Sequence, residues 1–370
     1  MQNKSGPSIY IPSDKNIFDA LQHKKIGHSE VLRFLRNRGI IVSQGLDKGD
    51  LSKTIAGLTF DFNDYSHITK LLENPNRKEK TTQTTVKATS NNEQLAEACQ
   101  KISKSEGGDE SYKVVKKENS TILVVTYTDV DFTKTELRQR TLKKCEVELH
   151  AEGDEVTVRS PATKKGKEVS ERFKFSLSRI IGKELEEEVI SLESVTQVEA
   201  RSLFFDELIK TIPGYELEDV SSVDVYHEID DLDENENEND EESGSSENVA
   251  GFIRKAALAG GGVLESTEFN QLHSRGFFIS KIIWTVVDTL PGGDKVELEA
   301  QFGRPSSCTD FKYLVRGIYS YNERTKAHNV TKRTPSRVET GTFNRKLEKA
   351  AKSSFDKVIK TYVGEEHEND

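Results

Sequence analysis

Cysteine is nearly absent from this chain of 370 residues. Cys99, Cys145 and Cys308 are the only three, and their spacing makes neither a disulfide framework nor a metal-ligand cluster. That usage implies a reducing, cytoplasmic setting. No run of about 18 apolar residues occurs, so no membrane span is expected. The opening MQNKSGPSIYIPSD lacks the apolar core of a secretory leader. Lys and Arg are missing from residues 224–247, DVYHEIDDLDENENENDEESGSSE, where twelve acids stand. The net charge is −10, and removing those twelve negative charges leaves the rest of the chain at +2. Two regions are then basic: residues 1–80 hold 13 Lys/Arg against 9 acids, and residues 311–360 hold 13 against 4. An acidic total therefore leaves room for a polyanionic partner.

What is present predicts an α+β fold in which a small N-terminal helical module is linked to a larger mixed body. Residues 13–73 read as short helices, with Ser13 or Asp14, Ser29 and Asp47 as caps and Gly39 as a stop. Leu51, Ile55 and Leu58 fall on one helical face. Residues 74–92, NPNRKEKTTQTTVKATSNN, offer little to bury and read as a linker. The body is expected over 93–226 and 250–366, as one domain or two, with 227–249 as an acidic disordered loop. Its strands include TILVVTYTDV, a hairpin in CEVELHAEGDEVTVRS and the alternating run KVELEAQF. Helices are expected at about 168–189, 195–212 and 343–363.

The segment SEVLRFLRNRGIIVSQGLDKGDLSKTIAGL carries the one motif. Its Leu32, Leu35, Arg38-Gly39, Ile40, Gly45, Lys48, Leu51 and Ile55 are spaced as in the SAP motif, a helix–extended loop–helix module, which the stretch resembles over about 30 residues. Gly49 departs from the pattern at the start of the second helix. The resemblance implies DNA binding through a helix N-terminus and nearby basic residues; the related LEM module binds protein instead. Elementary electrostatics points the same way, since helix N-termini present free N–H groups and cations displace condensed counterions. Arg33, Arg36, Arg38, Ser43, Lys48 and Lys53 are the expected nucleic-acid contacts. A second basic stretch, SPATKKGKE, places Lys164, Lys165 and Lys167 just ahead of an expected helix, a loop able to hold a phosphate.

No catalytic set emerges. Asp288 with Glu297 and Glu299 comes nearest to a nuclease carboxylate group, but it lacks the companion Lys, and alternation puts both glutamates on the solvent face. Cys308 has His273 and His328 elsewhere in the chain as candidate bases, with nothing in the sequence to bring them together. The glycine run AGGGVLES lacks the Lys-Ser/Thr of a phosphate loop and reads as a helix C-cap and turn. The expectation is therefore a cytoplasmic, non-catalytic protein with no cofactor and no metal. It would bind nucleic acid, DNA foremost, as a component of a bacterial DNA-processing or genome-defence system with a protein partner subunit. The competing readings are an interaction adaptor without DNA affinity and an unfamiliar metal-dependent nuclease.

Overall fold

The computed structural model describes residues 12–72, 79–104, 110–117, 120–228 and 255–362. Four helices come first: α1 (Asp14–Gln22), α2 (His28–Asn37), α3 (Lys48–Ala56) and α4 (Phe62–Leu72). Next are β1 (Thr81–Lys87), α5 (Asn92–Lys104), β2 (Ser111–Lys116), β3 (Thr121–Val130), the single turn α6 (Glu136–Gln139) and β4 (Arg140–Glu152). They are followed by β5 (Glu155–Pro161), α7 (Lys164–Ile181), β6 (Glu186–Glu188), α8 (Val198–Lys210) and β7 (Tyr215–Tyr226). Beyond the acidic run lie β8 (Lys255–Ala259), α9 (Thr267–Ser274), β9 (Phe278–Asp288), β10 (Lys295–Arg304) and β11 (Thr309–Tyr319). Two short strands, β12 (Tyr321–Asn322) and β13 (Ala327–His328), precede the last helix, α10 (Arg337–Tyr362). The architecture is N-terminal helices followed by a larger mixed body of helices and strands.

The chain divides into two units. The first comprises Met1–Arg77 and Asn92–Val147, the second Lys78–Asn91 and Glu148–Asp370. In the first, Ser13 caps α1 with a reciprocal box to Asn16, and Asp47 caps α3 by accepting from Gly49 N at 2.7 Å. Gly39 takes φ 75° directly after α2, the left-handed conformation that frees a chain to leave a helix. Ser29 does not cap α2; Gly27 holds that position, and Ser29 lies inside the helix. Leu21, Val31, Leu35, Leu51, Ile55 and Ile68 form the core of these helices, and Leu137 of α6 joins them. Each such side chain removed from water contributes about 1.5–3 kcal/mol. In the same unit β2 pairs antiparallel with β3.

The second unit is built on a sheet. The end of β4 pairs with β5, and the order continues β5-β1-β11-β10-β9-β7-β8, with β6 also paired to β1. All seven residues of β1 pair with β5, from Thr81↔Pro161 to Lys87↔Glu155. The linker expected at 74–92 is therefore a strand over Thr81–Lys87, and α5 has already begun at Asn92. The β-branched threonines of TTQTTVK suit a pleated strand, and Thr85 and Val86 are buried in it. β7, before the acidic run, pairs with β8 and β9 after it, so both sides of the run belong to one sheet. Most of the expected acidic loop, residues 229–249, lies outside the described residues.

α8 and α10 cover the core of this unit, which contains Phe204, Phe205, Trp284, Leu298, Leu347 and Ala351. β10 turns Val296, Leu298, Ala300 and Phe302 toward that core, as period-two alternation requires. Ahead of the glycine run, Lys255–Ala259 is a strand rather than a helix. No helix among the described residues is long and apolar enough to cross a membrane.

Candidate nucleic-acid interface

Ile40 and Val42 pack onto the helical core while Ile41 between them is 92% exposed. That alternation lies in the loop between α2 and α3, whose apolar side chains turn inward and outward in turn. The cations around it have different fates. Arg33 pairs with Glu30 one helical turn before it. Arg36 is exposed and has no partner for its side chain among the described residues. Arg38 turns inward: Nη2 donates to Thr59 O at 2.6 Å, Nη1 lies 3.5 Å from the Asp64 carboxylate, and the guanidinium sits over the Phe60 ring. Lys48 also turns inward, donating to His23 O at 3.2 Å and so tying the end of α1 to the start of α3. The Ser43 hydroxyl accepts from Gly45 N at 3.3 Å and shapes the loop. Lys53 is exposed, 4.0 Å from Asp50. At the α3 N-terminus the Asp47 carboxylate already occupies the Gly49 N–H.

Three other cations were missed in the sequence. Lys24, Lys25 and Arg138, with Lys48, surround His23. Burial and these four positive charges hold its imidazole below the ordinary value. Lys25 donates to Leu72 O at 3.0 Å, whereas the side chains of Lys24 and Arg138 have no partner among the described residues. The adjacent lysines of HKK were visible in the sequence. Arg138 was not, because only the packing of α6 onto the first helices brings it there.

The second basic stretch is not a loop ahead of a helix. Lys164, Lys165 and Lys167 form the first turn of α7, behind the cap Thr163. Lys165 pairs with Glu168 at 3.2 Å, while Lys164 and Lys167 are exposed. Arg159, just upstream, is buried against Glu348 and Glu148.

The carboxylates weighed for metal chemistry are engaged otherwise. Glu297 and Glu299 do lie on the β10 face opposite the helical core, but they are buried, not in water. Arg316 reaches both, Lys332 binds Glu297, and Lys80 binds Glu299 at 2.6 Å. Asp288 Oδ1 accepts from Leu290 N and serves the turn. Cys308 is buried, and burial pushes its thiol up to about 12. The two histidines named with it are bound elsewhere, His273 to Ser202 and His328 to Gly293 O. In the glycine run the Asp219 carboxylate accepts from Gly262 N at 2.9 Å.

No curated protein matches the chain. Residues 15–78, which contain the N-terminal helices apart from Asp14, match the model of the GAPS4b protein N-terminal domain, a defence-associated family.

Proposed function

We propose that the chain is a DNA-contacting, non-catalytic subunit of a bacterial anti-phage defence assembly working in the cytoplasm. The domain match at residues 15–78 supports the defence role. Positive charge without counter-ions on the first unit carries the DNA reading: the side chains of Lys24, Arg36 and Arg138 are unpaired among the described residues, and four cations gather at His23. The SAP-like spacing supports the same reading through the α2–loop–α3 arrangement. Arg33 and Lys53 are further candidate contacts. Arg38, Ser43 and Lys48 act in this scheme by holding the loop in shape. Lys164, Lys165 and Lys167 belong to a separate surface on α7. A protein partner subunit completes the assembly.

The test uses the full chain and a short labelled duplex at several salt concentrations. The variant Lys24→Ala/Arg36→Ala/Arg138→Ala should bind more weakly, and its slope of log K against log salt should flatten by about 0.9 for each phosphate it no longer neutralises. Parent-like binding by this variant overturns the DNA assignment for this surface. The adaptor reading has its own support in Ile41 and Leu46, apolar and exposed on the same loop. It becomes the better one if the parent shows no affinity for duplex at low salt and Ile41→Asp abolishes assembly with the partner subunit.

A further inference from the structure

The outward side of α7 combines an aromatic ring with free cations. Phe175 is 61% exposed, and the Arg179 guanidinium carbon lies 4.5 Å from the centroid of its ring. Arg179 has no carboxylate partner among the described residues. Val169, Phe173 and Leu177 turn the opposite side of the helix into the protein. At 3.6 residues per turn, Lys164, Phe175 and Arg179 then share the outward side, with Lys164 about 16 Å along the axis from Phe175. The acids on this side have cationic partners. Glu168 is bound by Lys165 and by Arg172 at 2.6 Å, and Lys174 is shared between Glu171 at 2.8 Å and Glu187 at 2.6 Å. Lys164 and Lys167 have no carboxylate partner among the described residues at the N-terminal end. That end is anchored, because Ala162 N donates to Lys80 O at 2.7 Å and the Thr163 hydroxyl accepts from Gly166 N at 3.1 Å.

A ring in water with a guanidinium on one face contributes little to a core, but it is a stacking surface. Unpaired bases stack on aromatic rings and on the guanidinium plane, while lysines take the phosphates. Paired bases in a duplex keep their faces covered and cannot use such a platform without flipping. We propose that this face of α7 binds single-stranded nucleic acid, with Phe175 and Arg179 stacking on bases and Lys164 and Lys167 holding the backbone. The inference rests on the nucleic-acid reading above, but it uses residues of the other unit, so the two can fail separately.

The experiment measures binding of the full chain to a labelled mixed-sequence single strand and to the duplex of the same sequence at low salt. Phe175→Ala should weaken single-strand binding about 5- to 150-fold, which corresponds to about 1–3 kcal/mol per stacked base at about 1.4 kcal/mol per tenfold. Duplex binding and the melting temperature should stay as in the parent, and Phe175→Trp should restore single-strand affinity. Lys164→Ala/Lys167→Ala should flatten the single-strand salt slope by about 1.4, at about 0.7 per phosphate. The proposal is overturned if Phe175→Ala binds the single strand like the parent, as it would if this face docks a protein. It is also overturned if the parent binds duplex but no single strand, an outcome that leaves the first-unit reading intact. A parent that binds neither overturns both.

Discussion

Two hydrogen bonds of 2.5 Å join the guanidinium of Arg159 on β5 to the carboxylate of Glu348 on α10, and both residues are buried. Glu148 accepts a third bond from Arg159, and the Tyr313 hydroxyl donates to Glu348. Burial works against the charge on Arg159, but the bonds to Glu348 outweigh it and hold the guanidinium charged. Removing Glu348 takes two of these three bonds from a buried guanidinium and leaves it Glu148. Glu348→Ala should therefore lose about 3–5 kcal/mol in urea unfolding, whereas Arg159→Met with Glu348→Leu should lose far less. Equal losses in the two would show that the packing, not the orphaned charge, sets the effect.

The opposite face of the sheet predicts an acid-sensitive fold. Burial alone would raise the carboxyls of Glu297 and Glu299. Hydrogen bonds from Lys332 and Arg316 to Glu297, and from Lys80 and Arg316 to Glu299, outweigh it and hold both below the usual carboxylate range. A carboxyl lowered in the folded state contributes stability that is complete above its unfolded value, about 4.3, and is lost as pH falls through the folded value. The contribution of these two carboxyls to the urea midpoint should be flat from about pH 7 to about pH 5 and fall below about pH 4. Glu297→Gln/Glu299→Gln should start lower at neutral pH and lose less on acidification. A double variant with the parent's full acid loss would assign the sensitivity to other carboxylates.

Two glycines should respond in opposite directions to alanine. A Cβ at Gly166 would lie 2.0 Å from Pro161 O, in the turn that starts α7. Gly166→Ala should lower stability by at least about 1–3 kcal/mol, as overpacking does. Gly341, in the first half of α10, has nothing within 4 Å of the same atom. Gly341→Ala should raise stability by about 0.4–1 kcal/mol by restricting the unfolded chain. Thermal or urea unfolding of the two single variants decides the matter.

Arg38 and Lys48 should separate from Arg36 and Lys24 when folding and binding are measured side by side. Arg38→Ala and Lys48→Ala each remove a charged donor from a backbone carbonyl, and each should lower stability by about 1.5–3 kcal/mol at most, less where water replaces the bond. Arg36→Ala and Lys24→Ala should stay within about 0.5 kcal/mol of the parent, as solvated surface changes do. If all four leave stability unchanged while reducing duplex affinity, the inward pair contacts DNA after all.

Much of the fold could be read from local pattern. The alternation in KVELEAQF, the turn between β4 and β5, the caps at Ser13 and Asp47 and the stop at Gly39 are set by neighbours a few residues away. What stayed hidden depends on distant partners. β1 is a strand because Thr81–Lys87 meets Glu155–Pro161, and nothing in its polar composition announces that pairing. Glu297 and Glu299 alternate as solvent-facing residues should, yet Arg316, Lys332 and Lys80 arrive from elsewhere and bury them. The candidate site divides in the same way. A basic residue is visible in a sequence, but whether its charge is spent on a carbonyl, as at Lys48, or left exposed without a partner among the described residues, as at Arg36, is a property of the packed helices.

The placement of β1 also imposes an order on synthesis. The chain leaves the first unit to supply this strand and returns to the first unit with α5. One edge of β1 is met by β5 soon afterwards, but Thr81 waits on the other edge for Tyr313. Roughly 150 residues separate Pro161 from Tyr313, which is about 7–30 s of translation at about 5–20 residues per second. During that interval β6 covers that edge only at Thr85–Lys87, and the Thr81 end remains an open hydrogen-bonding edge, the kind that captures other chains. Ribosome-bound chains halted between β5 and β11 are therefore where a chaperone, or a mispairing neighbour, should find this protein.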